Sequence, residues 1–247
     1  MGQVLAVISG KGGTGKTSLC AGVACALAQM EQRVLCLDAD VGLRNLDLSL
    51  GLASEPALCF TDVMAGAYPL SKATVHPQSP NLHFLTAPVT QTPEQIDPAA
   101  FRALLDQIRS EYDWCLVDAL AGIGAGFQLA VRWADQAIVV TGSDPAALRD
   151  GAKTAQALDG LSAAEARLVV NRIRRKFFRA TRFTVDDCMD QVGLPLLGLV
   201  PEDGTVSLAA ARGLALLQLP AKRRSAATAC CNIAGRLLGK HIPLLNL

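Results

Sequence analysis

The chain is poor in several features that would point to a specialised class of protein. Only 4% of its 247 residues are aromatic while 51% are hydrophobic, so the core should be mainly aliphatic. The formal net charge of +1 argues against nucleic-acid binding by overall charge alone. No apolar run approaches the roughly 18 residues of a membrane-spanning helix, and no signal peptide precedes the first hydrophobic segment. We therefore expect a soluble, cytoplasmic protein.

The eight cysteines show no pattern of a metal site or a disulfide framework. No Cys-x-x-Cys occurs, and the adjacent Cys230 and Cys231 have poor geometry for chelating one metal. The other cysteines lie in apolar or helical runs, which is typical of reduced core thiols. His76 and His83 have no carboxylate or cysteine at metal-like spacing, so we interpret both as structural or surface residues.

What the sequence does contain is a glycine-rich segment between an apolar run at residues 4–8 and a helical pattern at residues 18–24. This order is typical of a phosphate-binding loop, whose backbone N–H groups and following helix N-terminus face an anion. Lys16 should reach the β- and γ-phosphates, and the Thr17 hydroxyl should ligate Mg²⁺. We call residues 10–17 the phosphate-binding loop. The residues assigned here to nucleotide binding are Gly10, Lys11, Gly12, Gly13, Thr14, Gly15, Lys16, Thr17 and Ser18.

A second lysine, Lys11, makes this loop unusual. Lys-Gly-Gly-Thr-Gly-Lys-Thr resembles the deviant Walker A loop of the MinD/ParA class of ATPases. In that class the early lysine crosses a dimer interface and touches the nucleotide of the other subunit. Residues 38–48 closely resemble the corresponding segment of the septum-site-determining MinD ATPases, and the similarity extends through residues 51–52 and 60–64. Relatives that place flagella usually lack the arginine found here as Arg44.

Carboxylates follow two predicted strands. Asp38 and Asp40 come after the apolar residues 33–37, and Asp118 ends a hydrophobic run that begins at residue 112. Ligands bind at the carboxyl ends of strands in open α/β sheets, so these side chains should lie near the phosphates. We expect Asp38 and Asp118 to serve the Mg²⁺ shell and Asp40 to position the attacking water.

Residues 121–123, Ala-Gly-Ile, resemble the second switch of the family, in which a glycine N–H can follow the γ-phosphate. Leu120 stands where the family has proline. Proline restricts the backbone, so we expect this departure to affect the timing of the switch more than nucleotide binding.

The sequence around Asn171 bears on the choice of base. Guanine-specific phosphate-loop proteins use Asn-Lys-x-Asp, and here Arg174, which cannot accept a hydrogen bond, takes the place of the acid. The pattern therefore favours ATP over GTP. In the family that the chain resembles, this asparagine and the loop after the next strand lie beside the adenine. The resemblance implies contacts from Asn171, Arg172, Pro201, Glu202 and Asp203.

The only dense basic cluster is interleaved with Phe177 and Phe178 and consists of Arg172, Arg174, Arg175, Lys176, Arg179 and Arg182. It fits a solvated loop, a patch for a partner or lipid headgroups, or a DNA contact, and the sequence does not separate the last two.

Residues 240–247 form a short C-terminal extension with one lysine and one proline, which lacks the two faces of an amphipathic anchor. MinD-type relatives continue into such an anchor, so either the tail was removed or this protein does not use it.

Periodicity predicts further strands at residues 81–85, 136–141 and 167–171. It predicts helices over residues 92–110, 144–158 and 223–239. Residues 66–80 carry prolines and polar residues, which predicts a surface connection.

Together these features predict one phosphate-loop ATPase domain over residues 1–247, with a doubly wound, mostly parallel sheet and helices on both faces. The resemblance implies slow, partner-stimulated ATP hydrolysis with Mg²⁺, catalytic roles for Lys11, Lys16 and Asp40, and an ATP-dependent homodimer that acts in septum-site selection. We expect a protein activator or effector, a cytoplasmic or peripheral position at the inner membrane face, and no DNA partner. The alternatives are a ParA-like DNA-segregation ATPase, a flagellar-placement ATPase and a non-catalytic nucleotide-binding scaffold. An iron–sulfur carrier is disfavoured, because no cysteine follows Asp118 in the switch.

Overall fold

The structure, a computed structural model, describes residues 1–42, 44–161, 164–174, 176, 178, 180 and 184–246. Its strands form one eight-stranded sheet in the order β3-β4-β2-β5-β1-β6-β7-β8. Neighbouring strands are parallel except for β3 and β4. The strands are β1 (Gln3–Ile8), β2 (Val34–Ala39), β3 (Thr74–His76), β4 (Ser79–Leu85), β5 (Trp114–Ala119), β6 (Gln136–Thr141), β7 (Glu165–Ile173) and β8 (Leu196–Pro201).

Helices cover both faces of the sheet, as a doubly wound fold requires. They are α1 (Lys16–Gln29), α2 (Leu46–Leu50), α3 (Phe60–Met64), α4 (Pro98–Glu111), α5 (Ala125–Val131), α6 (Pro145–Asp159), α7 (Val185–Val192), α8 (Gly204–Ala211) and α9 (Ala226–Leu237). Short 3₁₀ turns occupy Leu70–Lys72, Pro93–Gln95 and Leu216–Gln218. The predicted fold class is confirmed.

Two hydrophobic layers enclose the sheet. Successive side chains of a strand point to opposite faces, so Leu5 and Val7 of β1 pack with α1 and α9, whereas Val4, Ala6 and Ile8 pack with α4 and α5. Helices α6 and α7 extend the second layer over β7. Because both faces are covered, the central strands are continuously hydrophobic, and their carboxyl ends are where polar residues gather.

Helix α1 packs against the sheet on one side and against α9 on another, and it is buried on most of its surface. Its residues 19–28 carry no charge, so the helix can be enclosed without leaving an ion in the core. Gly22 allows α9 to come close, since a Cβ at this position would lie 2.6 Å from Cys230 Sγ. The phosphate-binding loop is therefore followed by a helix that is fixed on several sides.

Two secondary-structure predictions are wrong. Residues 66–80 contain β3, which pairs antiparallel with β4, and the buried ring of His76 bonds Leu50 O at 3.0 Å. The long helix of the 92–110 region starts only at Pro98, where proline cannot continue a helix from upstream but suits its first turn. Asp97 caps this helix by accepting from Ala99 N at 2.9 Å.

The C-terminal extension lies back against α9. Arg236 of this helix donates from Nε to Ile242 O at 3.0 Å and from Nη2 to Pro243 O at 2.7 Å. Among the described residues, no helix combines the length and apolar character needed to span a bilayer.

Candidate functional site

The phosphate-binding loop connects β1 to α1 at the centre of the sheet. Gly13 and Gly15 have φ of 80° and 83°, values that glycine adopts without the steric cost of a Cβ. Gly15 is also the residue that precedes the first turn of α1. No backbone N–H of residues 12–15 donates a hydrogen bond of standard geometry to another described residue. The loop thus offers donors in the arrangement that binds anions.

The loop glycines differ in what surrounds them. A Cβ at Gly12 or Gly13 would meet no heavy atom within 4 Å, so these two positions leave open space in front of the backbone. A Cβ at Gly10 would lie 2.5 Å from Asp150 O, and one at Gly15 would overlap Asn171 Nδ2. Gly12 and Gly13 therefore leave space for an anion in front of the backbone. Gly10 and Gly15 allow neighbouring segments to pack closely against the loop.

Lys16 and Asp118 form a buried ion pair behind the loop. Lys16 Nζ lies 2.6 Å from Asp118 Oδ1, and the two side chains are 6% and 1% exposed. The Thr17 hydroxyl is 3.5 Å from the same Nζ. Asp118 on β5 is in register with Asp38 on β2, so the structure brings together four of the residues that the sequence predicts for phosphate and Mg²⁺.

The three carboxylates are buried to different degrees. Burial and, to a smaller extent, the negative charge of Asp118 raise the pKa of Asp38 to about 7, against the opposing effect of the N–H donors from Asp40 and Leu46. Burial also raises the pKa of Asp118, against the opposing effect of the Lys16 ammonium. Desolvation raises the pKa of Asp40. These carboxylates lie where added positive charge would stabilise their ionised forms.

The residues present fit a nucleotide with Mg²⁺. Thr14 Oγ1 and Asp40 Oδ1 are buried and have no hydrogen-bond partner among the residues that the structure describes. Thr17, Asp38 and Asp118 offer the hard oxygen ligands that Mg²⁺ prefers. Within the described part of the chain, no three His, Cys, Asp or Glu side chains form a ready metal cage.

At the carboxyl end of β7, Asn171 and Arg172 contact the loop. Asn171 Nδ2 donates to Thr14 O at 2.8 Å, and Arg172 Nη1 donates to Gly13 O at 3.0 Å. The Arg172 guanidinium also pairs with Glu202 at the end of β8, with Nε 3.1 Å from Oε2. The structure therefore brings these three residues beside the loop, and their contacts with the nucleotide remain a prediction.

A cavity of about 210 Å³ opens beside Gly15 and Ser18. Its walls combine Pro201 at the end of β8 and the following residues Glu202 and Asp203 with apolar side chains from several elements. The apolar residues are Leu19, Val200, Val206, Leu216, Ala226 and Cys230. A concave space that combines apolar walls with several polar groups suits a purine base.

Both carboxylate oxygens of Asp203 are bonded to backbone. Oδ1 accepts from Thr205 N and Oδ2 accepts from Ala226 N, each at 2.9 Å. One side chain thus caps the N-termini of α8 and α9 at once. The contact of Asp203 with a nucleotide remains a prediction. Its two hydrogen bonds in the structure hold two walls of the cavity together.

Lys11 occupies the exposed side of the loop. Its Nζ lies 3.8 Å from Asp150 Oδ2 of α6, and 43% of the side chain is exposed. Of the basic cluster, Arg174 and Lys176 are exposed, whereas Arg175, Phe177, Arg179 and Arg182 lie outside the described residues. The role of that cluster therefore remains a prediction.

Ser9, which joins the loop to residues 121–123, was not among the residues predicted from the sequence. Ser9 is 1% exposed, its hydroxyl donates to Lys11 O at 3.0 Å, and its carbonyl accepts from Gly122 N at 2.9 Å. The side chain of Leu120 lies over α5, where a Cβ at Gly126 would come within 2.7 Å of Leu120 Cβ. A small polar residue at the end of a hydrophobic strand was the signal that could have identified Ser9.

The chain is similar to known proteins along nearly its whole length. Residues 5–217 match the sequence profile of the CobQ/CobB/MinD/ParA nucleotide binding domain. The septum site-determining protein MinD of Synechocystis sp. is 35% identical over 248 residues, which cover 100% of this chain and 93% of that protein.

Two solved structures share the fold. The chain matches the MinC:MinD cell division protein complex from Aquifex aeolicus with a TM-score of 0.89 and 32% identity, over 98% of both chains. It matches the septum site-determining protein MinD complexed with Mg-ADP from Pyrococcus horikoshii with a TM-score of 0.80 and 28% identity, over 96% of both chains. The resemblance drawn from the sequence is confirmed.

Proposed function

This chain belongs to the CobQ/CobB/MinD/ParA family of nucleotide-binding domains, and on that premise we propose that it is an ATP-dependent dimerising ATPase of the MinD type, acting in septum-site determination. Members of the MinD/ParA family are ATPases with ATP and Mg²⁺ as cofactors, as predicted from the sequence. The observation that carries the proposal is the loop of unbonded N–H groups around the buried Lys16–Asp118 pair. We further propose that residues 1–247 form one ATPase domain.

The proposed roles follow from the contacts of each residue. Lys16 leaves Asp118 to bind the phosphates with the loop N–H groups, which frees Asp118 to serve the Mg²⁺ shell with Thr17 and Asp38. Bound Mg²⁺ would neutralise negative charge on the phosphates. Asp40, with one buried oxygen that has no partner among the described residues, positions the attacking water.

The proposed output is dimerisation of ATP-bound chains. Lys11 is almost half exposed at the rim of the loop, and its nearest counter-charge is a surface carboxylate at 3.8 Å. An exposed ion pair of this length contributes little, so Lys11 can leave Asp150 at small cost and reach the nucleotide of a second copy. Slow turnover that a partner accelerates is also part of the proposal.

A protein partner is proposed from the relatives. The Aquifex aeolicus structure is a MinC:MinD complex, so an effector protein of the division-site system is the partner we propose for this chain. We place the protein in the cytoplasm or peripherally at the inner membrane face. Co-sedimentation with anionic liposomes in ATP and in ADP, with duplex DNA in parallel, tests this location against the DNA-segregation alternative.

The proposal is tested by measuring ATP binding and dimerisation in the same samples. Lys16→Ala should abolish ATP binding, because the phosphates lose their buried cation. Lys11→Ala should bind ATP with nearly unchanged affinity but remain monomeric in sedimentation velocity with ATP and Mg²⁺. A Lys11→Ala chain that still dimerises with ATP would contradict the cross-subunit role, and a wild-type chain that binds no ATP would contradict the function.

A further inference from the structure

A single side chain ties the loop after β2 to the end of the neighbouring strand β4. Arg44 lies in this loop, and its Nε donates to Thr86 Oγ1 at 2.8 Å. Thr86 directly follows β4 and is 2% exposed. Because β2 and β4 are parallel neighbours, this bond lies at the edge of the sheet where the strands end and the phosphate-binding loop begins.

The position of Thr86 does not depend on Arg44. The Thr86 N–H donates to Leu58 O, and its carbonyl accepts from Phe60 N, each at 2.9 Å. Phe60 begins α3, and its side chain is fully buried. Thr86 is therefore an anchor that the core of the protein holds, and the loop after β2 is attached to it.

The turn that Arg44 closes carries Asp40. Arg44 N donates to Asp40 O at 3.3 Å, and Asp40 N donates to Asp38 Oδ1 at 2.9 Å. The Asp40 carboxylate lacks such a restraint on one side, because its buried Oδ1 has no hydrogen-bond partner among the described residues. The direction in which this carboxylate points therefore depends on the backbone of the turn.

The conformation of Arg44 shows that the turn is held by its surroundings. Arg44 adopts a φ of 48°, a left-handed conformation that is uncommon for a residue with a side chain. Such a conformation costs free energy and persists where neighbouring contacts enforce it. Among the described residues, Thr86 is the one hydrogen-bond partner of the Arg44 guanidinium. Losing that bond should release the turn that places Asp40.

We infer that Arg44 and Thr86 are positioning residues that set the direction of the Asp40 carboxylate toward the attacking water. This inference rests on the proposed function, in which Asp40 positions that water. Arg44 acts through the backbone of the turn, and Thr86 acts through Arg44. Neither residue lines the cavities on the two sides of the phosphate-binding loop, so the pair should affect hydrolysis and not ATP affinity.

The test measures hydrolysis and ATP affinity separately for Arg44→Met and Thr86→Val. Phosphate release with saturating ATP and Mg²⁺ gives kcat, at protein concentrations where sedimentation velocity shows the same dimer fraction in every sample. Isothermal titration calorimetry gives the Kd for ATP. We expect kcat to fall about tenfold in each variant, because small displacements of a positioning group slow the reaction strongly. The Kd should change less than about twofold.

Two further variants identify the hydrogen bond as the cause. Thr86→Ser keeps the acceptor oxygen and should give a kcat within about twofold of the wild-type value. Arg44→Met/Thr86→Val should lose no more than the larger single loss, because both substitutions remove the same bond. In ligand-free Thr86→Val, the amides of Asp40, Arg44 and Leu46 should exchange hydrogen faster, whereas those of α1 should not change.

Several outcomes would overturn the inference. A normal kcat in Thr86→Val, whatever the result for Arg44→Met, would show that the bond does not position Asp40. Equal losses of kcat and ATP affinity would place the pair in binding, and faster exchange throughout the protein would indicate general destabilisation. A wild type that binds or hydrolyses no ATP contradicts the proposed function itself, so the two failures are distinguishable.

A matched variant controls for the lost charge. Arg33 precedes the same strand, β2, at its opposite end, and it pairs with Asp113 at an exposed site. Arg33→Met removes an equal charge from the surface, and kcat should change less than about twofold. Thermal unfolding of each variant without ligand identifies any that has lost its fold.

Discussion

The two halves of the nucleotide site use their polar groups in opposite ways. In the phosphate half, formed by the ends of β1, β2 and β5, Thr14 Oγ1 and Asp40 Oδ1 are buried without a partner among the described residues. In the base half, formed by the ends of β7 and β8, the side chains of Asn171, Arg172 and Asp203 are bonded to backbone groups. The phosphate half therefore keeps two polar atoms without hydrogen bonds, whereas in the base half these three side chains form hydrogen bonds within the chain.

A buried polar group without a partner costs free energy, so the phosphate half is less stable than its packing alone would allow. The base half gains stability from the same kinds of group, because each one caps a helix or fixes a loop. Substitutions in the two halves should therefore separate ligand affinity from the free energy of unfolding.

The largest effect on stability is expected from Lys16→Met in the phosphate half. The substitution leaves Asp118 buried beside Asp38 without its cation, and breaking such a pair costs about 3 kcal/mol. Urea unfolding without ligand measures the loss. The double variant Lys16→Met/Asp118→Asn removes the stranded charge and should recover most of it. A loss below about 1 kcal/mol for Lys16→Met would mean that the pair is not a buried ion pair in solution.

A smaller loss is expected from Asp203→Ala in the base half. The carboxylate caps two helices, and each lost cap costs about 1 kcal/mol, so unfolding should require about 2 kcal/mol less. Asp203→Asn keeps one acceptor oxygen and should lose about half as much. Calorimetric unfolding and ATP titration are done on the same samples. Unchanged stability with lost ATP binding would instead support the nucleotide contact predicted from the sequence.

The smallest change, with the opposite sign, is expected from Thr14→Val. Valine has the shape of threonine and removes a buried hydroxyl that has no partner among the described residues. The free energy of unfolding should stay the same or rise by up to about 1 kcal/mol, while ATP affinity falls. If Thr14→Val unfolds more easily than the wild type in urea, the hydroxyl has a partner in the ligand-free protein, and the contrast between the halves weakens.

The phosphate half could be predicted from the sequence because its signals are local. The loop from Gly10 to Thr17 follows its strand directly, and Asp38 and Asp118 each end a hydrophobic run. The direct contact of Lys16 with Asp118, which lies 102 residues further along the chain, could not be derived from spacing. It depends on the order of strands in the sheet.

The base half was predicted only through the resemblance, because its contacts are tertiary. Asp203 reaches Ala226 across 23 residues, and no local pattern indicates that pairing. The errors elsewhere have similar causes. The strand around His76 is short and lies at the edge of the sheet. Two capping residues, each followed by proline, lie close together in the sequence. Thr92 begins a 3₁₀ turn, and Asp97 begins α4.

Gly22 affects the width of the cavity for the base, although it does not line that cavity. A Cβ on this residue of α1 would lie 2.6 Å from Cys230 Sγ on α9, and Cys230 is part of the cavity wall beside Ser18. The distance between two packed helices depends on the size of the side chains at their contact. A single methyl group at position 22 would therefore press on Cys230 from behind and change the width of the slot for the base, although Gly22 itself does not line that slot.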